Sequence, residues 1–217
     1  GEGGINPMRA DYLRDVRALC DTQDWLLMID EVQCGIGRTG KWFAHQWAGV
    51  QPDVMPLAKG LGSGVPIGAV VAGPKAANIF QPGNHGTTFG GNPLVCAGAL
   101  ANLDYLVTND LQANSLRQGE AMQASLRPLV DELSIVGDVR GKGLMVGIEL
   151  VGADGREPNV VAAGAVLETC RENGLLIGKG GLYGNCLRVA PPLTLTAEEC
   201  AEGTAILIDA LRSVNSR

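Results

Sequence analysis

The chain has 217 residues with a hydrophobic content of 46%, which is enough to bury a sizeable core in one large domain or in parts of two. Its net charge of −6, with acids and bases interspersed, argues against a nucleic-acid partner or an anionic membrane surface, since either would require a clustered basic patch. The six cysteines are scattered without a CxxC pair, so the sequence predicts no metal site and favours a reducing, cytoplasmic location.

The first predicted elements form a helix followed by a strand. Residues 8–23 carry apolar side chains at helical spacing, and WLLMID (25–30) is a continuous apolar run typical of a strand in a parallel sheet. Residues 53–58 and 66–72 are short apolar runs bounded by glycine and proline, which predicts two more buried strands. The region 1–92 is therefore expected to be α/β.

The composition changes in the second half of the chain. A helix of small residues is predicted from Asn92 onward, followed by an amphipathic helix with one apolar face made of Leu116, Met122, Leu126, Leu129 and Leu133. Further elements are predicted as strands at 135–140, 144–151, 175–178 and 186–189, a helix at 160–172, and a last helix with a capping box of Thr196 and Glu199. We place a domain boundary near residue 106.

Asp30 and Lys59 are the most informative pair. Asp30 closes the apolar run, and Lys59 follows 29 positions later in a loop whose apolar flanks are expected to desolvate its amine. Ligands in open α/β sheets bind beyond the carboxyl ends of strands. A carboxylate for a pyridinium nitrogen and an amine for an aldehyde are the groups that pyridoxal phosphate (PLP) chemistry requires. The alternative is a solvated loop acid and an ordinary loop lysine.

Val32 and Gln33 strengthen the cofactor interpretation. A β-branched side chain can pack on the face of a ring, and an amide can hydrogen-bond the phenolic oxygen of the cofactor. A nucleotide-hydrolase loop at 35–41 (GIGRTGK) is the competing interpretation, but Trp42 stands where a Ser or Thr must reach magnesium. The sequence therefore favours a cofactor cradle over a nucleotide site.

Two later segments carry further candidate binding residues. Residues 85–93 (HGTTFGGNP) combine two hydroxyls with backbone amides ahead of a helix, which predicts either a phosphate cradle or a simple turn with a helix cap. Arg188 lies in a predicted strand, where its guanidinium suits a substrate carboxylate. A structural salt bridge with an acid of the same domain is the alternative for Arg188.

The chain resembles the C-terminal half of the class III (omega) aminotransferases, PLP-dependent enzymes of fold type I. The resemblance is carried in order by GEGGINP, IDEVQCGIGRTGKWFA, PDVMPLAKGLGSGVPIGAVVA, HGTTFGGNPLVCA, VRGKGLMVGIEL and LRVAPPLTLT. It implies an α/β fold in which residues 1–106 form part of the mixed, mostly parallel sheet of the PLP-binding large domain. Residues 107–217 would then be a C-terminal α+β small domain.

The resemblance also implies roles for individual residues. Lys59 would form the Schiff base with PLP. Asp30 would pair with the pyridinium nitrogen, Val32 would back the ring and Gln33 would meet the phenolic oxygen. Thr88 would bind the phosphate across the interface of a homodimer with a shared active site. Arg188 would bind the α-carboxylate, and Glu2 would neutralise Arg188 when an ω-amino substrate is bound.

The implied activity is ping-pong transfer of an amino group from an amino acid to a 2-oxo acid. Within the family, the segments VRGKGLMVGIEL and IGKGGLYGNCLRVAPPLTLT look most like the alanine–glyoxylate branch, with 4-aminobutyrate and acetylornithine enzymes next. Two alternatives remain open. One is a PLP-dependent aminomutase or decarboxylase of the same fold, and the other is a truncated, non-catalytic fragment of such an enzyme.

Overall fold

The structure, a computed structural model, describes residues 1–153 and 155–216. Its helices are α1 (Ala10–Thr22), α2 (Pro93–Thr108), α3 (Leu111–Leu126), α4 (Leu129–Glu132), α5 (Val160–Glu172) and α6 (Ala197–Asn215). Its strands are β1 (Val54–Leu57), β2 (Ala69–Ala72), β3 (Val136–Lys142), β4 (Met145–Leu150), β5 (Gly178–Gly180) and β6 (Cys186–Val189).

The chain divides into two compact units. One spans Met8–Gln112 and contains the antiparallel pair β1–β2; we call it the hairpin unit. The other combines Gly1–Pro7 with the described residues from Ala113 onward; we call it the sheet unit. The division falls between Gln112 and Ala113, and the first seven residues lie with the C-terminal half of the chain. The assignment of 1–106 and 107–217 to a large and a small domain stays a prediction.

The hairpin unit has a small apolar cluster under α1. The buried residues Cys20, Leu27, Ala48 and Val50 form this cluster. Asp53 ties α1 to the strand region, because its Oδ2 accepts hydrogen bonds from Arg17 Nη1 at 2.6 Å and from the Leu27 N–H at 2.7 Å. The helix predicted at 8–23 is confirmed.

Two expectations for the hairpin unit are wrong in detail. The run 25–30 does not form a full strand. It makes one isolated parallel bridge, between Met28 and Val54. The strand predicted within 66–72 exists as β2, but every residue of β2 is exposed rather than buried. An apolar run predicts a strand only where neighbours on both sides complete its ladder and cover its faces.

The sheet unit is a four-stranded antiparallel sheet in the order β3-β4-β6-β5. One face packs against helices in a continuous apolar core that includes Leu126 of α3, Val166 of α5 and Leu211 of α6. The sequence predicts one amphipathic helix with an apolar face that continues to Leu133. In the structure this helix is interrupted at Pro128, so Leu129 belongs to the short helix α4, which ends before Leu133. A proline cannot donate the backbone hydrogen bond of a helix interior.

The two faces of the sheet have different chemistry. Val146, Ile148 and Leu150 of β4 are fully buried on the core face, as the period of two in a strand requires. The opposite face carries polar residues at matching register positions: Asp138 and Arg140 of β3, Gly147 and Glu149 of β4, and Cys186 and Arg188 of β6. Residues 1–7 contact this second face.

The capping predicted for α6 is confirmed. The Thr196 hydroxyl accepts a hydrogen bond from the Glu199 N–H at 3.1 Å, and the Glu199 carboxylate accepts one from the Thr196 N–H at 2.9 Å. This reciprocal pair satisfies two donors at the start of the helix.

Candidate active site

Asp30 and Lys59 follow two neighbouring parallel segments of the hairpin unit. The Ile29 N–H donates to the Val54 carbonyl at 3.0 Å, and the Glu31 N–H donates to the Pro56 carbonyl at 3.2 Å. Residues 28–31 therefore run alongside β1, and both candidates leave this pair of segments at its carboxyl end. Ligands bind in this position in open α/β sheets.

The Asp30 side chain is exposed, and its Oδ1 accepts a hydrogen bond from the Val32 N–H at 2.8 Å. This bond folds the turn back on itself and fixes the carboxylate at the end of the segment. Val32 and Gln33, which follow in the same turn, are half-buried. The structure thus brings Asp30, Val32 and Gln33 together in one turn.

Glu31 is a structural residue whose role sequence reasoning missed. Its side chain is 1% exposed, and its two carboxylate oxygens accept hydrogen bonds from the Ala44 N–H at 3.0 Å and the His45 N–H at 2.9 Å. These amides begin a short 3-10 helix, Ala44–Trp47, whose start favours a negative charge. Glu31 thereby anchors the turn that presents Asp30. The available signal in the sequence was the adjacent pair of acids, in which Asp30 is the candidate site residue and Glu31 stabilises the turn.

Cys34 lies against the same carboxylate. Its Sγ donates to Glu31 Oε2 at 3.0 Å. Burial, followed by the hydrogen bond to Glu31, raises the pKa of the Cys34 thiol to about 12. Cys34 is therefore a protonated thiol at neutral pH and serves the turn as a hydrogen-bond donor.

Lys59 begins a one-turn 3-10 helix, Lys59–Leu61, in a left-handed backbone conformation with a φ of +45°. A left-handed non-glycine residue costs of the order of 1 kcal/mol and persists only where its surroundings impose it. Asn102 of α2 supplies part of that constraint, because its Nδ2 donates to the Gly60 carbonyl at 2.8 Å and to the Leu61 carbonyl at 3.0 Å. Asn102 was also missed; the signal was a lone amide in a helix of small apolar residues.

The expected desolvation of Lys59 is not provided by this chain. Its side chain is exposed, although Leu61 two positions later is buried. Leu57 and Leu61, on either side of the lysine, are buried, whereas Lys59 itself is exposed. The sequence pattern singled out Lys59, but its prediction that apolar neighbours bury the amine is wrong for this chain.

Thr88 lies in an exposed loop of the hairpin unit. The loop ends in a helix cap, since Asn92 Oδ1 accepts hydrogen bonds from the Leu94 N–H at 3.1 Å and the Val95 N–H at 3.2 Å. Thr87 stabilises the turn by accepting a hydrogen bond from the Gly90 N–H at 3.1 Å. The cap-and-turn interpretation of residues 85–93 is thus present, and the phosphate-binding role of Thr88 stays a prediction.

Arg188 and Glu2 meet on the polar face of the sheet unit. Arg188 Nη1 lies 3.2 Å from Glu2 Oε2, with the side chains 25% and 78% exposed. Room for the arginine comes from Gly180 of the neighbouring strand, where an added Cβ would lie 2.8 Å from Arg188 Cδ. The contact is compatible with both predicted roles of Arg188, a salt bridge within its domain and a carboxylate-binding site.

Arg140 lies on the same face and is the third residue that sequence reasoning missed. Its Nη1 pairs with Glu149 at 2.6 Å and with Asp138 at 2.9 Å. Burial by itself lowers the pKa of Arg140, but the two carboxylates outweigh it and the pKa lies above the ordinary value. The available signal was the alternation of Asp138 and Arg140 in a predicted strand.

The family model for class III aminotransferases matches residues 1–211. This chain belongs to the class III aminotransferases. Acetylornithine aminotransferase 1 of Bordetella bronchiseptica is 49% identical over 98% of this chain and 51% of its own length. Acetylornithine aminotransferase of Nitrosomonas europaea is 55% identical over 69% of this chain and 38% of its own length.

Solved structures agree with this class III assignment. Ornithine aminotransferase from Toxoplasma gondii, a structure with partial occupancy of PLP at its active site, has 34% identity and a TM-score of 0.91, covering 100% of this chain and 50% of its own. Acetylornithine aminotransferase from Elizabethkingia anophelis has 34% identity and a TM-score of 0.89, covering 98% and 54%. The predicted family and the α/β, fold type I class are confirmed.

This class III chain spans about half the length of the curated relatives it matches, such as 51% of the Bordetella bronchiseptica protein. The relatives named above are acetylornithine and ornithine aminotransferases, so they do not support the finer preference for the alanine–glyoxylate branch.

The described residues, 1–153 and 155–216, contain neither a metal-binding cluster nor a membrane-spanning helix. Within them, no group of three or more His, Cys, Asp or Glu side chains is arranged to hold a metal ion. In the same ranges, no helix has the length and apolar character needed to cross a bilayer.

Proposed function

We propose that this chain carries half of the active site of a PLP-dependent transaminase, which moves an amino group from an amino acid to a 2-oxo acid. The observation that carries the proposal is the placement of Asp30 and Lys59 at the carboxyl end of two adjacent parallel segments. The names of the relatives favour an ornithine-derived amino donor.

The residues present fit PLP by their chemistry. An exposed carboxylate, Asp30, suits the pyridinium nitrogen, and an exposed primary amine, Lys59, suits the aldehyde. The bond from the Val32 N–H orients the Asp30 carboxylate before any ligand arrives. When bound, PLP supplies an electron sink for the negative charge that develops at the substrate carbon.

Each candidate residue near the cofactor then has a defined role. Asp30 holds the proton on the ring nitrogen, because its negative charge favours the protonated form. Lys59 Nζ would hold the aldehyde of the cofactor, and the same amine would carry the proton that leaves the substrate carbon. Val32 would pack on the ring, and Gln33 would donate to the phenolic oxygen.

The remaining roles concern the phosphate and the substrate. Thr88 hydrogen-bonds the phosphate. Arg188 binds the carboxylate of the amino or oxo acid, and Glu2 neutralises Arg188 while an ω-amino group is being transferred. The Glu2–Arg188 separation of 3.2 Å supports this pairing.

A homodimer that shares its active site is part of the proposal. Phe89 and Leu94, on either side of the glycine turn after Thr88, are 81% and 77% exposed. Large apolar side chains at such exposure mark an interaction surface. A cytoplasmic location, favoured by six unpaired thiols, is proposed with it. Sedimentation of the purified chain measures the dimer directly.

Borohydride trapping tests the assignment of Lys59. The chain is incubated with PLP and reduced, and its five lysines are compared by peptide mass spectrometry. We expect the pyridoxyl label to concentrate on Lys59, to disappear in Lys59→Ala and to persist in Lys179→Ala, which removes an exposed lysine of the sheet unit. Equal labelling of all five lysines would refute the role of Lys59.

A non-catalytic fragment is the second candidate, favoured by the half-length match and the exposure of Lys59. Turnover separates the two candidates. A transaminase converts a 2-oxo acid into an amino acid stoichiometrically with consumption of the donor, whereas a fragment that only binds PLP shows the Lys59 label without product. An aminomutase or decarboxylase of the same fold would consume the donor without using the 2-oxo acid.

A further inference from the structure

The segment Gly1–Pro7 is held on the polar face of the sheet by one side chain above all. Arg140 Nε donates to the Gly4 carbonyl at 3.1 Å and to the Ile5 carbonyl at 2.9 Å, and Nη2 donates to the Gly4 carbonyl at 2.8 Å. Charged donors on backbone carbonyls form hydrogen bonds about twice as strong as neutral ones. Arg140 therefore anchors the middle of the segment.

Arg140 is itself fixed in place. Its Nη1 lies between the carboxylates of Asp138 and Glu149, one from its own strand and one from β4. The planar guanidinium thus uses one edge for the sheet and the other for the segment. A lysine at this position would keep the charge but could not make both sets of contacts.

The shape of the sheet confirms that the segment has a specific seat. An added Cβ on Gly147 would lie 3.1 Å from Ile5 Cβ and 3.2 Å from the Gly4 carbonyl oxygen, so a larger residue would push the segment away by a few tenths of an ångström. Gly4 itself has a φ of +112°, a conformation that glycine tolerates. The Gly181 N–H also donates to the Glu2 carbonyl at 3.2 Å.

The Glu2 side chain depends on this anchor. Its carboxylate lies 3.2 Å from Arg188, but the Glu2 side chain is 78% exposed. An exposed ion pair contributes too little to order a chain segment alone. The backbone contacts of Gly4 and Ile5 with Arg140, together with the Gly181–Glu2 hydrogen bond, therefore supply the order that places Glu2 on Arg188.

We propose that Arg140 is a positioning residue for substrate selection, because its grip on the backbone of Gly4 and Ile5 holds the Glu2 carboxylate in competition with substrate carboxylates at Arg188. The proposal rests on the proposed function, in which Arg188 binds the substrate carboxylate. Arg140 touches no substrate in this scheme; it acts through Glu2.

A double-mutant cycle tests the coupling, with the dicarboxylate glutarate as the probe and isothermal titration calorimetry of the PLP-incubated chain as the measurement. Glu2→Gln removes the competing charge, so glutarate should bind roughly two- to five-fold more tightly. Arg140→Gln should tighten glutarate by a similar factor, and Glu2→Gln should add nothing in that background. An undiminished effect of Glu2→Gln in the Arg140→Gln background would overturn the proposal.

Hydrogen exchange gives a second readout that needs no ligand. The Ile5 N–H donates to the Gly1 carbonyl at 2.9 Å, so its protection reports the seated segment. We expect Arg140→Gln to abolish this protection, Arg140→Lys to restore it in part, and Glu2→Gln to leave it intact. Unchanged protection in Arg140→Gln would refute the anchoring role whatever the calorimetry shows.

Two controls keep the outcome interpretable. Gly4→Ala strains the same contact from the segment side while leaving the Asp138 and Glu149 pairs of Arg140 in place, so it replaces Arg140→Gln if that variant fails to fold. Arg188→Ala tests the proposed function separately. If glutarate binds Arg188→Ala as well as wild type, the substrate role of Arg188 fails, and the exchange experiment still decides the role of Arg140.

Discussion

The sheet unit fixes its candidate residues by dense contacts, whereas the hairpin unit holds its own by a few local ones. Arg188 and Arg140 stand on strands whose other face is a closed apolar core. Lys59 stands at the end of a short strand whose hairpin partner β2 is exposed along its whole length. Its left-handed backbone relies on nearby groups such as Asn102.

This contrast separates two ways of building half a site. In the sheet unit, the geometry of the charges follows from strand register and should survive in any preparation in which the sheet is folded. In the hairpin unit, Lys59 is exposed, and so are large apolar residues such as Phe89, Leu94 and Leu100. Regions with few buried contacts open locally at low free energy. We therefore expect the two units to respond differently to equivalent substitutions.

The largest difference should come from leucine truncation. Leu187 of β6 is 0% exposed and Leu100 of α2 is 61% exposed. Leu187→Ala should lower the free energy of unfolding by about 2–5 kcal/mol, because it leaves a cavity in a closed core. Leu100→Ala should change it by less than about 0.5 kcal/mol. Urea unfolding measures both, and equal costs would show that the Leu100 face is covered in solution.

Two helical glycines probe the rigidity of each unit. An added Cβ on Gly119 of α3 would lie 2.0 Å from the Gly143 carbonyl oxygen, which is backbone, so Gly119→Ala should cost about 1–3 kcal/mol or more. An added Cβ on Gly98 of α2 would lie 3.2 Å from the end of the Val65 side chain, which can move.

For Gly98→Ala the helix-propensity gain of up to about 1 kcal/mol should offset the crowding. Thermal unfolding of the two alanine variants gives the comparison. A larger loss of thermal stability for Gly98→Ala than for Gly119→Ala would contradict the view that the hairpin unit is the less rigid of the two.

A smaller, pH-dependent effect is expected at Asp53 in the hairpin unit. The hydrogen bond from Arg17, and then that from the Leu27 N–H, hold the pKa of Asp53 below its usual value. A depressed pKa in the folded state stabilises the fold above the unfolded pKa of about 3.9, and this contribution is lost as the pH falls through the folded pKa.

Asp53→Asn should therefore cost about 1–2 kcal/mol at pH 7 and progressively less below about pH 4. Asp21→Asn is the matched control, since Asp21 pairs with the same Arg17 at 2.7 Å but is 63% exposed; it should cost well under 1 kcal/mol. Urea midpoints of both variants across this pH range provide the check. A constant deficit for Asp53→Asn at all pH values would contradict the linkage.

The fold could be predicted from the sequence where local signals agreed. Asn92, Thr196 and Glu199 marked helix starts correctly, because capping depends only on residues a few positions apart. The run 25–30 could not be assigned correctly from its apolar character, since a strand needs partners. Among the residues that the structure describes, it makes one bridge, to Val54, and Met28 is 64% exposed.

The charged residues of the candidate site could be proposed from the sequence, but the residues that hold them in position could not. Asp30, Lys59, Arg188 and Glu2 stand in motifs with a chemical rationale. Asn102 and Arg140 make their supporting contacts across 41 or more positions of sequence, so the local signals that marked these residues could not identify their partners. The exposure of Lys59 was misjudged because buried apolar neighbours in sequence, such as Leu57 and Leu61, do not by themselves cover the lysine side chain.

β4 has a practical consequence for anyone who screens a library of variants. Its residues alternate between the core, at Val146, Ile148 and Leu150, and the polar face, at Gly147 and Glu149. A saturation scan along these five positions should show abundance collapsing at Val146, Ile148 and Leu150, tolerance of small residues alone at Gly147 against Ile5, and a shift of ligand preference at Glu149. One short strand would thus let selection for solubility and selection for new donors proceed on separate positions.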